Sequence, residues 1–133
     1  MVIDPKAQAV VEGYFASMRA RAAGENGMAA LFAEDAVYIE PFSSGSAGSQ
    51  EQRRHIGKIA IVEFFGQAWS HQPADMTVSL DRLDIDGDLL RSEWTCASAV
   101  FTTPMRGYDL FTIQNGKIVR LETMLLHPEI KDK

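Results

Sequence analysis

In the segment GYDLFTIQ, Asp109 shares its parity with Phe111 and Ile113, and residues of one parity point to one face of a strand. A carboxylate is thereby set on an apolar face. Burying an ionised carboxylate costs several kcal/mol or more, so such an acid is either paired or has its pKa raised until it keeps its proton. A protonated acid donates a hydrogen bond, which suits a dry site where negative charge develops on a substrate oxygen. The ordinary alternative is an inward acid satisfied by a neighbouring arginine or by backbone amides.

Two further residues belong to the same chemistry. Tyr14 falls in the apolar stripe of the first predicted helix, so its ring is expected inside, with a hydroxyl that needs a partner there. Asp109 is a candidate partner, and a core aromatic with a locally satisfied hydroxyl is the plain reading. Glu40 stands directly before Pro41, where a strand-end side chain projects over the open end of a sheet or into solvent.

Other chemistries find less support. His55, His71 and His127 are too dispersed for a helix-borne metal pair, and no His, Glu or Asp spacing matches a metal site, so no metal is expected. No phosphate-cradling glycine loop and no nucleophile elbow occurs, which leaves nucleotide cofactors and serine hydrolysis unsupported. Cys96, between Thr95 and Ala97, reads as inert packing. Arg91 and Glu93 share a parity and read as an exposed ion pair.

A chain of 133 residues, 46% hydrophobic and 23% charged, is expected to fold as a single domain over 1–133. Its net charge of -5 argues against nucleic acid as a partner. The local basic run Gln52-Arg53-Arg54-His55 reads as a solvated loop or helix entry. One cysteine allows no internal disulfide, so a reducing cytoplasm is expected. The N-terminus lacks the features of a signal peptide. The most apolar stretch, Ile59 to Trp69, is broken by Glu63 and Gln67 and is too short to span a bilayer. A soluble protein with no membrane partner is expected.

The elements that must position these residues follow from periodicity. Asp4-Pro5 starts a helix whose stripe is Val11, Tyr14, Phe15, Met18 and Ala22, with Gly24 as its stop. Asn26 caps a short second helix through Met28, Leu31 and Phe32. Ala36 to Glu40 is a brief strand, and Ser43 to Ser49 a flexible loop within a long polar stretch reaching His55. A buried helix carries Ile59, Val62, Phe65 and Trp69, widened by Ile61 and Phe64. The period then changes to two. Met76, Val78 and Leu80 alternate, and Leu83 and Ile85 take the other parity, which places a bulge near Asp81-Arg82. Asp86-Gly87 and Asn115-Gly116 are hairpin turns. Strands run from Leu89 to Thr103 and from Lys117 to Leu126. Helices followed by an antiparallel meander give an α+β fold.

The runs AVVEGYF, LFAEDAVYIEP, GKIAIVEFF and YDLFTIQNGKIVRLE together resemble the ketosteroid isomerase-like branch of the nuclear transport factor 2-like superfamily, over nearly the whole chain. LFAEDA and NGKIV are widespread in that superfamily, including its SnoaL-type polyketide cyclases and nonenzymatic members. The resemblance implies a conical barrel, a strongly curved and mostly antiparallel sheet wrapped around the N-terminal helices, with a deep apolar pocket. It also implies roles: Tyr14 falls on the oxyanion-hole tyrosine, Asp109 on the protonated oxyanion-hole acid, and Glu40 on the general base. Glu40 departs from the family's usual aspartate by one methylene, a displacement of about 1 Å that can cost catalysis heavily.

The reaction so implied is an isomerase-type proton transfer beside the carbonyl of a small hydrophobic ligand, with no cofactor. Phe64, Phe111, Met124 and Leu125 are candidates for the substrate-binding lining. A SnoaL-like cyclase and a noncatalytic ligand-binding or dimerisation domain are the alternatives. Pairing as a homodimer through the outer face of the sheet is implied as well. An epoxide hydrolase of this fold would carry an acid near Thr123, which the chain lacks.

Overall fold

The computed structural model describes residues 3–22, 24, 27–42 and 53–126. The expected loop from Ser43 to Ser49, the cap at Asn26, Gln52 and His127 lie outside the described residues. Helix α1 spans Pro5–Ala20, and the Asp4 side chain accepts from the Lys6 N–H at 3.2 Å. Val11, Tyr14 and Phe15 are buried as the stripe requires. The helix stops earlier than Gly24. Arg21 adopts a left-handed conformation at φ 54°, where the Arg21 and Ala22 N–H groups close onto Met18 O and Ser17 O, so Ala22 lies past the end.

A single 3-10 turn, Met28–Leu31, replaces the expected second helix. Phe32 already begins strand β1, Phe32–Glu40, and β2, Arg53–Ile56, pairs antiparallel to it. Arg53, Arg54 and His55 are therefore part of an edge strand and not of a loop or helix entry. Helix α2 covers Lys58–Ser70 and turns Ile61, Phe65 and Trp69 inward. Ile59, expected inside, is exposed, because the buried ridge runs through positions four apart beginning at Ile61.

Strands β3 (Thr77–Asp86), β4 (Leu89–Ala97), β5 (Met105–Gln114) and β6 (Lys117–Leu125) form the meander. The register shifts between Leu80 and Arg82, where the parity switch placed a bulge. Strand β4 ends at Ala97 and not Thr103, because Asp75 accepts hydrogen bonds from the Ser98 hydroxyl at 2.6 Å and the Ala99 N–H at 2.8 Å and draws the chain out of the ladder. Asn115 and Gly116 both have positive φ, 53° and 76°, as a tight β5–β6 hairpin demands.

The strand order is β2-β1-β6-β5-β4-β3. The β1–β6 pairing is parallel and the other pairings are antiparallel, so the sheet is mixed. The expected barrel is overturned: β2 and β3 remain the two edges, and the sheet is neither closed nor strongly curled. Closure needs a strand stagger that brings the two edges together. The bulges here bend strands locally and leave those edges unpaired with each other. The core lies between one face of this open sheet and the helices, around Phe15, Phe32, Ile61, Phe111, Ile118 and Leu121.

Candidate functional site

A cavity of about 470 Å³ opens between the sheet and the two helices. Its walls are largely aromatic: Tyr14 from α1, Tyr38 from β1, Phe64, Phe65 and Trp69 from α2, and Trp94 from β4. Gly107 on β5 permits the close approach of Trp94. A Cβ there would stand 2.4 Å from the Trp94 ring and 2.5 Å from the Met124 carbonyl oxygen.

Asp109 lines this cavity and is 1% exposed. Ser92 and Thr123 sit directly across from it on the flanking strands, and directly opposed residues share a face. The Ser92 hydroxyl donates to Oδ2 at 3.1 Å and the Thr123 hydroxyl to Oδ1 at 2.7 Å. The Trp94 indole lies near enough to favour the charged form of the carboxyl. Burial pushes the Asp109 carboxyl up to about 7, while Thr123, Ser92 and Trp94 pull it down. The inward acid is satisfied by hydroxyls, and neither an arginine nor a backbone amide is needed.

Thr123 Oγ1 also lies 3.3 Å from the Tyr38 hydroxyl, and the Tyr38 and Tyr14 phenols are close enough to influence each other's proton. A polar chain thus runs from Ser92 through Asp109 and Thr123 to Tyr38. Both phenols are held well above their ordinary range, mainly by burial, so both remain protonated donors at any physiological pH. The Tyr14 ring is fixed by edge-on contacts to Phe15 at 5.2 Å and Phe111 at 5.3 Å, which leaves little freedom for its hydroxyl.

Glu40 is fully buried but does not line the cavity. Its Oε1 accepts from the Phe42 N–H at 2.6 Å, and His55 Nε2 lies 2.8 Å from its Oε2. The His55 ring is packed at 4.6 Å against Phe64 and at 6.1 Å against Tyr38. Tyr14, Asp109 and Phe64 therefore meet at one cavity, and Glu40 stands behind it. Phe111 is buried in the core under Tyr14, and neither it nor Met124 nor Leu125 lines the cavity. Met124 has the opposite parity to Thr123, and Leu125 is 36% exposed at the strand's end.

Sequence reasoning missed Tyr38, Ser92, Thr123 and His55. The signal for Tyr38 was available: it lies two residues before Glu40 on the same strand and so shares its face. No cluster of three or more His, Cys, Asp or Glu able to hold a metal exists among the described residues, and no described helix is long and apolar enough to cross a membrane.

The helices packed on one face of a mixed sheet, with an aromatic-lined cavity between the layers, define an α+β protein of the NTF2-like type. Residues 11–121 match the SnoaL-like domain, and the chain belongs to that family. Among solved structures, an NTF2-like protein of unknown function from Mesorhizobium loti is similar at TM-score 0.73 and 19% identity, over 96% of this chain and 98% of that one. A candidate ketosteroid isomerase from Kribbella flavida is similar at TM-score 0.71 and 20% identity, over 96% and 83%. A candidate polyketide cyclase from Sinorhizobium meliloti is similar at TM-score 0.67 and 23% identity, over 91% and 100%. At these identities the likeness is one of fold. No curated protein matches the sequence.

Proposed function

We propose that this protein binds a small hydrophobic carbonyl compound and catalyses a cofactor-independent proton transfer beside the carbonyl. The observation that carries this reading is the set of buried side-chain oxygens of Tyr14, Tyr38 and Asp109 at an otherwise aromatic cavity. A carbonyl oxygen seated there accepts from the Tyr14 hydroxyl and from protonated Asp109, and both bonds strengthen as an enolate forms. Glu40 is the base in this reading, taking a proton from the carbon next to the carbonyl and returning it elsewhere. His55, bonded to Glu40, orients the carboxyl group. The relatives described as a candidate isomerase and a candidate cyclase are in keeping with such a pocket.

A second reading, binding without turnover, is favoured by one observation: both Glu40 oxygens are engaged and the residue does not line the cavity. Exchange of ketone α-protons into deuterated water, followed by NMR, separates the two. The catalytic reading expects the parent protein to accelerate exchange in hydrophobic ketones and Asp109→Ala to slow it by about a hundred-fold. Glu40→Gln should abolish it while a phenol still binds. If every ketone that binds exchanges at the rate in buffer, catalysis is excluded and the binding reading stands.

A further inference from the structure

Two segments that border the cavity belong to no helix or strand. Residues 71–76 follow α2 and supply His71, Gln72, Pro73 and Met76, and residues 98–104 join β4 to β5 and supply Phe101. One side chain ties them together. The Asp75 carboxylate accepts from the Ser98 hydroxyl at 2.6 Å and from the Ala99 N–H at 2.8 Å. Ser98 in turn closes the bend that follows it. Its hydroxyl oxygen accepts from the Val100 N–H at 3.2 Å and its carbonyl from the Phe101 N–H at 3.0 Å. Ser98 and Ala99 hold the Asp75 carboxyl below its ordinary range, so at neutral pH both bonds run to a charged acceptor.

The tie is single and wet. Among the described residues, the hydrogen bonds that join 98–104 to another part of the chain all run to Asp75. Asp75 is exposed, as are Ala99, Val100, Thr102, Thr103 and Pro104, so water competes for the carboxylate. Phe101 is the residue of this segment that lines the cavity, partly buried against the core. A stretch held by one exposed side chain opens locally at far lower cost than the ladders of β4 and β5 on either side of it.

We propose that the β4–β5 connection is a strap over the mouth of the cavity, latched by Asp75 and plugged by Phe101, whose opening admits and releases small molecules. The strap itself follows from this geometry, and only the kind of molecule admitted rests on the functional reading above.

Cys96, the chain's one cysteine, is 5% exposed and lines the same cavity, so its rate of alkylation by iodoacetamide reports entry of a small molecule. Asp75→Ala should raise that rate about five-fold, the weight of an ordinary hydrogen bond in an opening equilibrium. Phe101→Ala should raise it as well, and Asp75→Asn, which keeps an acceptor, should fall between parent and Asp75→Ala. In dilute urea the parent's rate should stay flat, because opening a strap exposes little surface, whereas passage through global unfolding climbs with the full denaturant slope. A climbing rate in the parent, or equal rates in the parent and Asp75→Ala, overturns the strap. Stopped-flow binding of 2-naphthol, a phenol of the kind invoked above, should show faster entry and faster exit in Asp75→Ala with little change in affinity. A loss of affinity without faster exchange would make Asp75 a support of the site and overturn its role as a latch. If 2-naphthol does not bind the parent protein, the functional reading fails, and the alkylation rates still decide the strap.

Discussion

Asp109 and Glu40 are withdrawn from water to the same degree, 1% and 0% exposed, yet they are partnered in opposite ways. Asp109 lies in the interior of the sheet, between β4 and β6, among hydroxyls and an indole that carry no charge. Glu40 ends β1 beside the edge strand β2, and the imidazole of His55 on that strand is bonded to it. Depth alone therefore does not decide what a buried acid can do. Neutral donors leave Asp109 a single group whose proton is governed by burial, whereas Glu40 is held between an imidazole and a backbone amide.

The largest expected effect tests the Asp109 half of this contrast. Its folded pKa of about 7 is above the ordinary 3.8, so the stability tied to its proton is fully present below the ordinary value and is lost as pH rises through about 7. Asp109→Asn should flatten that part of the profile and exceed the parent by a few kcal/mol above neutral pH. Urea unfolding across this range gives the answer, and parallel profiles for the two proteins would mean that burial does not govern this carboxyl.

The Glu40 half is tested by His55→Phe, which keeps a ring against Phe64 and Tyr38 and removes the nitrogen bonded to Glu40. A loss of about 2 kcal/mol is expected, because a buried carboxyl oxygen forfeits its hydrogen-bond partner. A double-mutant cycle with Glu40→Gln isolates the pair, and a coupling near zero would erase the distinction between the two acids. The smallest effect is that of Thr123→Val, nearly isosteric, at about 1 kcal/mol. Removing this donor should also move the Asp109 titration upward, since Thr123 favours the charged form; a downward shift in its carboxyl NMR signal's midpoint would contradict the role given to the hydroxyl.

Asp109 was legible in the sequence because strand parity depends only on neighbouring residues. Its partner Thr123 was not. Counting back from the Asn115-Gly116 turn with no interruption sets Gln114 against Lys117 and would bring Glu122 opposite Asp109, but the ladder slips by one between Thr112 and Ile113, and Thr123 arrives instead. Such a bulge leaves the pattern of local composition almost unchanged. β2 escaped notice for a different reason: Arg53-Arg54-His55-Ile56 carries three polar residues in four, and its strand character comes from β1 alone. The barrel expectation failed at the same kind of limit, since closure depends on how distant edges meet and not on any local run.

The parallel contact of β1 with β6 has a consequence for how the molecule assembles. Tyr38 and Thr123 are 85 positions apart in the chain, and α2, β2, β3, β4 and β5 all lie between their strands. Closing so long a loop is entropically unfavourable until the intervening hairpins have formed, and contacts of this separation slow folding. The hydrogen-bonded chain from Tyr38 to Asp109 therefore has no counterpart in any locally folded fragment and comes into being with the complete sheet. A ligand that grips it fastens the early and late parts of the chain together, and its binding energy is returned as resistance to global unfolding and not to the fraying of one element.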